Sequence, residues 1–361
     1  MAEIEVFSFF AGLGFLDLGF HNAGFNISLV NEVNPDFIGA YKYSRDNLKI
    51  LPPTYGYANC DIRDVLIEKK WGAIFNEAKQ KSIIGFIGGP PCPDFSFGGR
   101  NEGGTGTNGI LTQIYVDLIV EKQPHFFVLE NVKGLVKTKK HNEFYQNLKA
   151  KTLANGYYLI ESLENALEYG VPQYRDRLFL LGFNKRLFET APDFSFHNIP
   201  KGQLSDLLNL PWPDQEIFIV DSIRECPDNI RNDLTVQYWF DKNDVANHQN
   251  AQDFFKPKST TVKFQNIEEG NTHGKSFKRL HRWRFSPTAA YGNNEVHLHP
   301  YKPRRISVAE ALAIQSLPSN FMIPEDLSLS TKFKMVGNGV PYLMSFKLAK
   351  GLMSWLQIHI H

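Results

Sequence analysis

The segment EVFSFFAGLG, residues 5–14, joins a short apolar run to a turn that contains two glycines. A run of this length that ends in turn residues predicts a buried β-strand over residues 5–10. The apolar residues at positions 16, 18, 20 and 23 have helical spacing and predict a helix directly after the turn. Strand, glycine turn and helix together predict the first unit of an α/β fold, in which ligands bind at the carboxyl ends of the strands.

The same alternation continues to about residue 183, and it predicts a doubly wound α/β sheet. Further strands are predicted from the apolar runs at 25–30, 83–87, 125–129, 157–163 and 178–183. Residues 110–122 have the pattern of a helix between two of these strands.

The pattern changes after residue 184. Proline, asparagine, aspartate and aromatic residues dominate from 184 to 303, which predicts a smaller and irregular domain. Helices are predicted again at 307–317, where Ser307 and Glu310 form a capping box, and at 342–356.

The composition is that of a globular protein in a reducing compartment. The chain has 361 residues, 42% of them hydrophobic and 21% charged. It has three cysteines and no CxxC motif, so we expect no disulfide framework, no metal site and a cytoplasmic location. No apolar run approaches the roughly 18 residues of a membrane span. We expect His297 and His299 to lie at the surface.

The net charge of +1 carries no information about partners, but its distribution does. Residues 201–255 contain 4 Lys and Arg against 10 Asp and Glu, whereas residues 256–305 contain 11 against 3. A basic surface next to an acidic one is compatible with a nucleic-acid site, but such a stretch by itself is more often a solvated face.

The glycine turn predicts a cofactor that contains a nucleoside. Its backbone N–H groups can approach a ligand, and the following helix N-terminus favours negative charge. Glu32 can bond ribose hydroxyls from the end of the second strand, and Asp61 and Ile62 can lie against an adenine. Asp17 occupies the place of the third glycine of G-x-G-x-x-G, so nicotinamide and S-adenosylmethionine both stay open, as does a turn without ligand.

A proline-rich turn presents the best candidate nucleophile. Cys92 lies in GGPPCPDFS, residues 88–96, directly after a predicted buried strand. Flanking prolines stiffen the backbone where ligands bind, so the thiolate of Cys92 can serve as a nucleophile. The alternative is a buried structural cysteine. The glycine-rich residues 98–109 suit either a mobile lid or a surface loop.

Three charged residues are candidate partners of that nucleophile. Glu130 ends a buried strand, where desolvation raises its pKa and favours proton donation; capping of the next helix is the alternative. Arg175 and Arg177, with Gln173, share one side of an extended segment. Two guanidinium groups on one side suit a phosphate or a base carbonyl, although a surface ion pair is equally compatible.

In this order, the segments resemble the cytosine-C5 DNA methyltransferase family. The resemblance covers nearly the whole chain outside 184–300. It rests on the motifs Phe-Ala-Gly-Leu-Gly, Pro-Pro-Cys, Glu-Asn-Val, Gln-x-Arg-x-Arg and Gly-Asn-x-Val. It implies a Rossmann-like methyltransferase sheet in residues 1–183 plus 330–361, and a target-recognition domain and hinge in residues 184–329.

The resemblance also implies the chemistry. Cys92 attacks C6 of a flipped cytosine, Glu130 bonds the ring edge at N3 and the amine, and Arg177 holds the O2 side. Arg175 supports the active-site loop. The cofactor is S-adenosyl-L-methionine, and its binding residues are Phe10, Gly12, Leu13, Glu32, Asp61, Ile62, Pro91, Leu111 and Asn338.

Two positions depart from the family pattern. Pro93 stands where the family usually has glutamine, which puts the fine geometry of base flipping in doubt, and Phe15 replaces a second glycine. The basic and aromatic residues 275–284 fall in the implied recognition region, so we expect them to contact DNA.

The resemblance implies double-stranded DNA as the partner, in a restriction–modification setting with a possible cognate endonuclease. We expect a monomer that does not bind membranes. Three alternatives remain. The tRNA-methylating branch shares the motifs, but its Cys-Phe-Thr tripeptide is absent here, since Cys226 precedes Pro227. A regulatory homologue without catalysis conflicts with the intact motifs. A nicotinamide oxidoreductase leaves Pro-Pro-Cys and Glu-Asn-Val unexplained.

Overall fold

A computed structural model describes residues 3–91, 107–256, 264–274, 277–289, 291 and 296–360. Within these residues the main sheet has seven strands, in the order β3-β2-β1-β4-β5-β7-β6. The strands are β1 (Ile4–Phe9), β2 (Asn26–Asn31), β3 (Tyr57–Ala58), β4 (Ile83–Gly88), β5 (Phe126–Asn131), β6 (Tyr157–Asn165) and β7 (Asp176–Asn184). The strands from β3 to β5 run parallel, whereas β7 is antiparallel to both β5 and β6. The predicted α/β sheet is confirmed.

Helices connect and cover the strands. In the first part of the chain they are α1 (Phe15–Asn22), α2 (Pro35–Asn47), α3 (Ile62–Ile67), α4 (Lys69–Lys81), α5 (Thr107–Lys122), α6 (Gly134–Lys137) and α7 (Lys139–Ala154). Helix α2 begins at Pro35, and the side chain of Asn34 caps it by accepting the N–H groups of Asp36 and Phe37. This helix was not predicted from the sequence, because its apolar residues are interrupted by polar ones.

The sheet is covered on both faces, as a doubly wound fold requires. Neighbouring residues of one strand enter opposite cores: Val6 of β1 packs with α1, and Phe7 packs with α3 and α4. The same alternation holds in β5, where Phe126 and Phe127 point to opposite sides. Continuous apolar strands are therefore explained by burial on both faces.

The later part of the chain contains short elements. They are α8 (Leu204–Leu208), α9 (Val236–Lys242), the paired strands β8 (Phe277–Arg279) and β9 (Val296–Leu298), α10 (Val308–Ile314), α11 (Leu329–Asn338) and α12 (Tyr342–His359). The predicted capping box is confirmed, since Ser307 and Glu310 each accept the backbone N–H of the other. The domain boundaries at 184 and 330 stay predictions.

Helix α12 returns to the beginning of the sheet and packs on α1. A side chain at Gly19 of α1 would place its Cβ 2.5 Å from Cβ of Ser345, so the two helices touch closely only because position 19 is glycine. Asn22 donates a hydrogen bond to the hydroxyl of Tyr342 at 2.9 Å. No helix in the described part of the chain is both long and apolar enough to cross a membrane.

The expectation that His297 and His299 lie at the surface is wrong. Their exposed fractions are 2% and 1%. His299 accepts the backbone N–H groups of Tyr301 and Lys302 through Nδ1, and it lies 3.4 Å from Glu310. Burial lowers the pKa of His297 to about 3, so this ring is neutral and forms part of the core.

Candidate active site

One cavity of about 2160 Å³ opens at the carboxyl ends of β1, β2, β4 and β5. This volume exceeds the roughly 300–1,000 Å³ of a typical small-molecule site, so there is room for more than one ligand. Every predicted site residue within the described part of the chain lines the cavity, namely Phe10, Gly12, Leu13, Glu32, Asp61, Ile62, Pro91, Leu111, Glu130, Arg175, Arg177 and Asn338. Cys92 lies outside the described residues; Pro91 directly precedes it.

The turn after β1 has an unusual backbone. Phe10, Gly12 and Gly14 have φ values of 54°, 56° and 78°, the left-handed region that favours glycine. The N–H of Gly12 donates to Glu32 Oε2 at 2.9 Å, and the N–H of Asn34 donates to Oε1 at 2.9 Å. Glu32 therefore fixes both the turn after β1 and the one after β2. Burial raises its pKa, and the N–H bonds oppose that rise.

Two further predicted cofactor residues begin α3. Asp61 caps this helix by accepting the N–H of Arg63 at 2.8 Å, and Ile62 is buried behind it. The guanidinium of Arg63 also bonds Asp61, which lowers the pKa of that carboxyl. The backbone at Asp61 and Ile62 thus has a fixed position at one wall of the cavity.

Glu130 and Arg177 form a buried ion pair at the other side of the cavity. Arg177 Nε lies 2.7 Å from Glu130 Oε1, and each side chain is only 10% exposed. Antiparallel pairing of β5 and β7 brings these residues together. Desolvation raises the pKa of Glu130, and the charges of Arg177 and Arg175 limit the rise. Such a carboxyl can hold or release a proton nearer neutral pH than a free glutamate can.

Close packing at Gly89 directs the Glu130 carboxyl. A side chain at Gly89 would place its Cβ 2.6 Å from Glu130 Oε2. Gly89 belongs to the turn that leads to Pro91, so the carboxyl lies against the backbone that approaches Cys92 in sequence.

Arg175 has a different environment from Arg177, although both lie on the same extended segment. Its guanidinium donates to the carbonyl oxygens of Ala289 at 2.9 Å, Gly337 at 2.7 Å and Gly339 at 3.1 Å. The side chain is 1% exposed. Arg175 therefore joins the start of β7 to residue 289 and to the segment around Asn338.

Phe15, which replaces a family glycine, packs against Gly339. We expect Gly339→Ala to destabilise the protein by about 1–3 kcal/mol, because the new Cβ would lie 2.1 Å from the Phe15 ring. The φ of Gly339 is −66°, so the cost is steric and not conformational. Urea unfolding of Gly339→Ala, Phe15→Ala and the double variant measures it. The cost of Gly339→Ala should shrink in the Phe15→Ala background; additive costs would contradict the contact.

Several residues that line the cavity were not predicted from the sequence. They include Ser8, Asp17, Lys133 and Asp176 on the sheet side, and Thr272, His273 and Phe285 from the later part of the chain. Asp17 could have been singled out from the sequence, because it is a charged residue between apolar residues at the start of a predicted helix. Thr272, His273 and Phe285 carried no such signal, because they reach the cavity through tertiary packing.

The prediction that residues 275–284 contact DNA is wrong for two of its arginines. Arg279 is 0% exposed and donates to the carbonyl of Ile267 at 2.7 Å. Arg282 is 3% exposed and forms two bonds of 2.8 Å to the carboxylate of Glu269. Both guanidinium groups therefore bond to other residues in the protein interior and do not form a surface for DNA. Lys278 and Arg284 line the cavity and remain candidates for contact with DNA.

The fold and the cavity define a Rossmann-like α/β protein of the methyltransferase class. The family model for C-5 cytosine-specific DNA methylase matches residues 4–354, and the chain belongs to this family.

Known proteins similar to this chain agree with that assignment. The type II methyltransferase M.NmeDI of Neisseria meningitidis serogroup C is 51% identical over 98% of this chain and 84% of its own length. M.NgoPII of Neisseria gonorrhoeae is 30% identical over 98% and 96%. The crystal structure of the S. pombe Dnmt2 methyltransferase has a TM-score of 0.62 at 13% identity, over 98% of this chain and 99% of its own, which supports the fold.

Proposed function

We propose that this protein transfers a methyl group from S-adenosyl-L-methionine to C5 of a flipped cytosine within a specific duplex DNA sequence. The observation that carries the proposal is the shared cavity: the buried Glu130–Arg177 pair, the turn after β1 and Pro91 all line it. Since relatives of similar length are named type II methyltransferases, we further propose that the methylation protects host DNA beside a cognate restriction endonuclease. A monomeric state stays a prediction.

The residues of the cavity fit an adenosyl cofactor. Glu32 lines the cavity, and each of its carboxylate oxygens accepts one backbone N–H, which leaves lone pairs that can accept ribose hydroxyls. Ile62 and Leu111 supply apolar surface for an adenine, and residues 10–13 of the turn after β1 line the same cavity. When bound, S-adenosyl-L-methionine supplies an electrophilic methyl group. Asn338 would contact it from the segment that Arg175 holds.

The chain's own residues would activate the cytosine. C5 of cytosine is a weak nucleophile in the intact aromatic ring. The thiolate of Cys92 adds to C6, the C5–C6 double bond shifts to C4–C5, and the displaced C4–N3 electron pair takes a proton at N3. The resulting enamine makes C5 nucleophilic. C5 takes the methyl group as the methyl–sulfur bond of the donor breaks and S-adenosylhomocysteine is released, and a base then removes the C5 proton. The electron pair of that C–H bond restores the double bond, and Cys92 leaves as thiolate. A stacked base is inaccessible to this chemistry, so the cytosine must leave the helix.

Glu130 and Arg177 would bind the edge of that ring. With its raised pKa, Glu130 can present a proton to N3 and accept from the exocyclic amine. Arg177 then faces the O2 side and stabilises the charge that develops as Cys92 adds. Their mutual contact at 2.7 Å holds both groups in place before the base enters.

The direct test is methyl transfer from labelled S-adenosyl-L-methionine to duplex DNA and to tRNA. We expect label in DNA only, in a substrate-specific pattern that sequencing of the methylated cytosines defines. Label in tRNA only would replace the proposal with the tRNA-methylating activity. Absence of label in both, with retained DNA binding, would favour a regulatory DNA-binding protein.

A further inference from the structure

A buried polar cluster lies behind the turn at residues 10–14, and the proposed reaction does not use it. Its members are Ser8 on β1, Asp17 on α1, and Tyr41 and Arg45 on α2, none of them more than 3% exposed. Ser8 Oγ donates to Asp17 Oδ1 at 2.8 Å, and the hydroxyl of Tyr41 donates to Oδ2 at 3.0 Å. Both carboxylate oxygens of Asp17 are thus engaged by residues of other elements.

Arg45 connects this cluster to the turn itself. Its Nη2 donates to the carbonyl oxygen of Gly14 at 2.5 Å, and its guanidinium lies 4.3 Å from the centroid of the Tyr41 ring. Burial raises the pKa of Asp17, whereas the charge of Arg45 and the two hydroxyl bonds lower it. The cluster is therefore arranged to accommodate a carboxylate away from water.

These contacts lie directly against the backbone of the turn. Gly14 has a φ of 78°, and a Cβ there would lie 2.3 Å from the Tyr41 ring and 2.5 Å from Arg45. Phe10 has a φ of 54°, a conformation that a residue with a side chain rarely adopts without support from its surroundings. Contacts from another element can stabilise such a turn, and Tyr41 and Arg45 of α2 make such contacts at Gly14.

We infer that Asp17, Tyr41 and Arg45 are positioning residues that hold the turn at residues 10–14 in the shape that binds the adenosyl cofactor. The inference rests on the proposed function, because the turn is assigned to that cofactor there. It also explains why a carboxylate stands at position 17, in place of a third glycine. The Asp17 carboxylate links α1 to α2 through Tyr41 and to β1 through Ser8.

The test compares two changes of the same chemistry. Tyr41→Phe removes only the hydroxyl that bonds Asp17. Tyr157→Phe removes a hydroxyl that is equally buried, donates to the carbonyl of Pro124 at 2.9 Å, and does not line the cavity. Binding of S-adenosylhomocysteine is measured by calorimetry on the full chain, with thermal unfolding in parallel. We expect Tyr41→Phe to weaken binding by about tenfold, because holding the turn in its binding shape then costs about the free energy of one hydrogen bond to a charged group, and Tyr157→Phe to leave it unchanged.

Asp17→Asn provides a second variant, which keeps the size of the side chain and removes its charge. In methyl transfer it should raise KM for S-adenosylmethionine by a similar factor and leave kcat nearly unchanged. Equal affinities of Tyr41→Phe and the parent protein would overturn the inference. A large loss in Asp17→Asn together with unchanged binding in Tyr41→Phe would overturn it in favour of direct contact between Asp17 and the ligand. Failure of the parent protein to bind the probe would overturn the proposed function and this inference with it.

Discussion

Glu130→Gln is expected to lower kcat/KM for methyl transfer by about 10²–10⁴-fold, the usual contribution of a positioned proton donor. The change keeps the shape of the side chain but removes both the exchangeable acid proton and the charge that pairs with Arg177. Addition of Cys92 to the ring then lacks a proton at N3, so the negative charge that develops on the ring is not neutralised. Binding of S-adenosylhomocysteine should be unaffected, because Glu130 and the turn after β1 are on different sides of the cavity.

The pH dependence provides a separate readout of the same residue. Burial raises the pKa of Glu130, so its protonated form is depleted only when the pH rises through that raised value. In the parent protein the rate should therefore fall on the alkaline side of this pKa, and Glu130→Gln should lack that limb. Protonation is favoured in the folded state, so any stability from this group is likewise lost as pH rises through it. Glu161→Gln, which changes a carboxylate bonded to Tyr145 outside the cavity, is the matched control. An unchanged rate in Glu130→Gln would remove Glu130 from the mechanism.

Cys92→Ser is expected to reduce turnover by on the order of 10⁴–10⁶-fold, as removal of a nucleophile does in enzymes that use covalent catalysis. A serine hydroxyl is far less acidic than a thiol, so almost none of it is ionised at neutral pH. Duplex DNA with 5-fluorocytosine at the target distinguishes this mechanism from direct transfer. Without a C5 proton to remove, the thiol adduct cannot eliminate and should survive denaturing electrophoresis.

The control for that experiment is Cys226→Ser, since Cys226 is not among the residues that line the cavity. The parent protein and Cys226→Ser should form the stable adduct, and Cys92→Ser should not. An adduct in Cys92→Ser would mean that another group attacks the base.

Local patterns predicted the elements of the sheet because strands buried on both faces are continuous apolar runs. The capping box was also predictable, because its two residues are only three positions apart in the sequence. The motifs also led to Glu130 and Arg177, whose side chains meet at 2.7 Å. The roles of these residues and of Cys92 stay predictions, and Cys92 lies outside the described residues.

Tertiary partners could not be predicted in this way. Arg175 and Arg177 look equivalent in sequence, yet Arg175 bonds carbonyl oxygens 114 to 164 residues away. Charge counting placed Arg279 and Arg282 on a DNA-facing surface, although buried carbonyls and Glu269 bind them inside the protein. His297 and His299 were misjudged for a related reason: residue type does not reveal burial when the segment lacks a periodic pattern.

The packing of α12 on α1 has a consequence for synthesis of the chain. Asn22 and Tyr342, which bond across this contact, are separated by 320 residues. At roughly 5–20 residues per second, the ribosome needs about 16–64 s to make the intervening chain. During that time the face of α1 that packs on α12 stays uncovered, so the nascent chain can aggregate through this face. Premature termination before α12 should therefore yield an aggregation-prone product and not a partly active one.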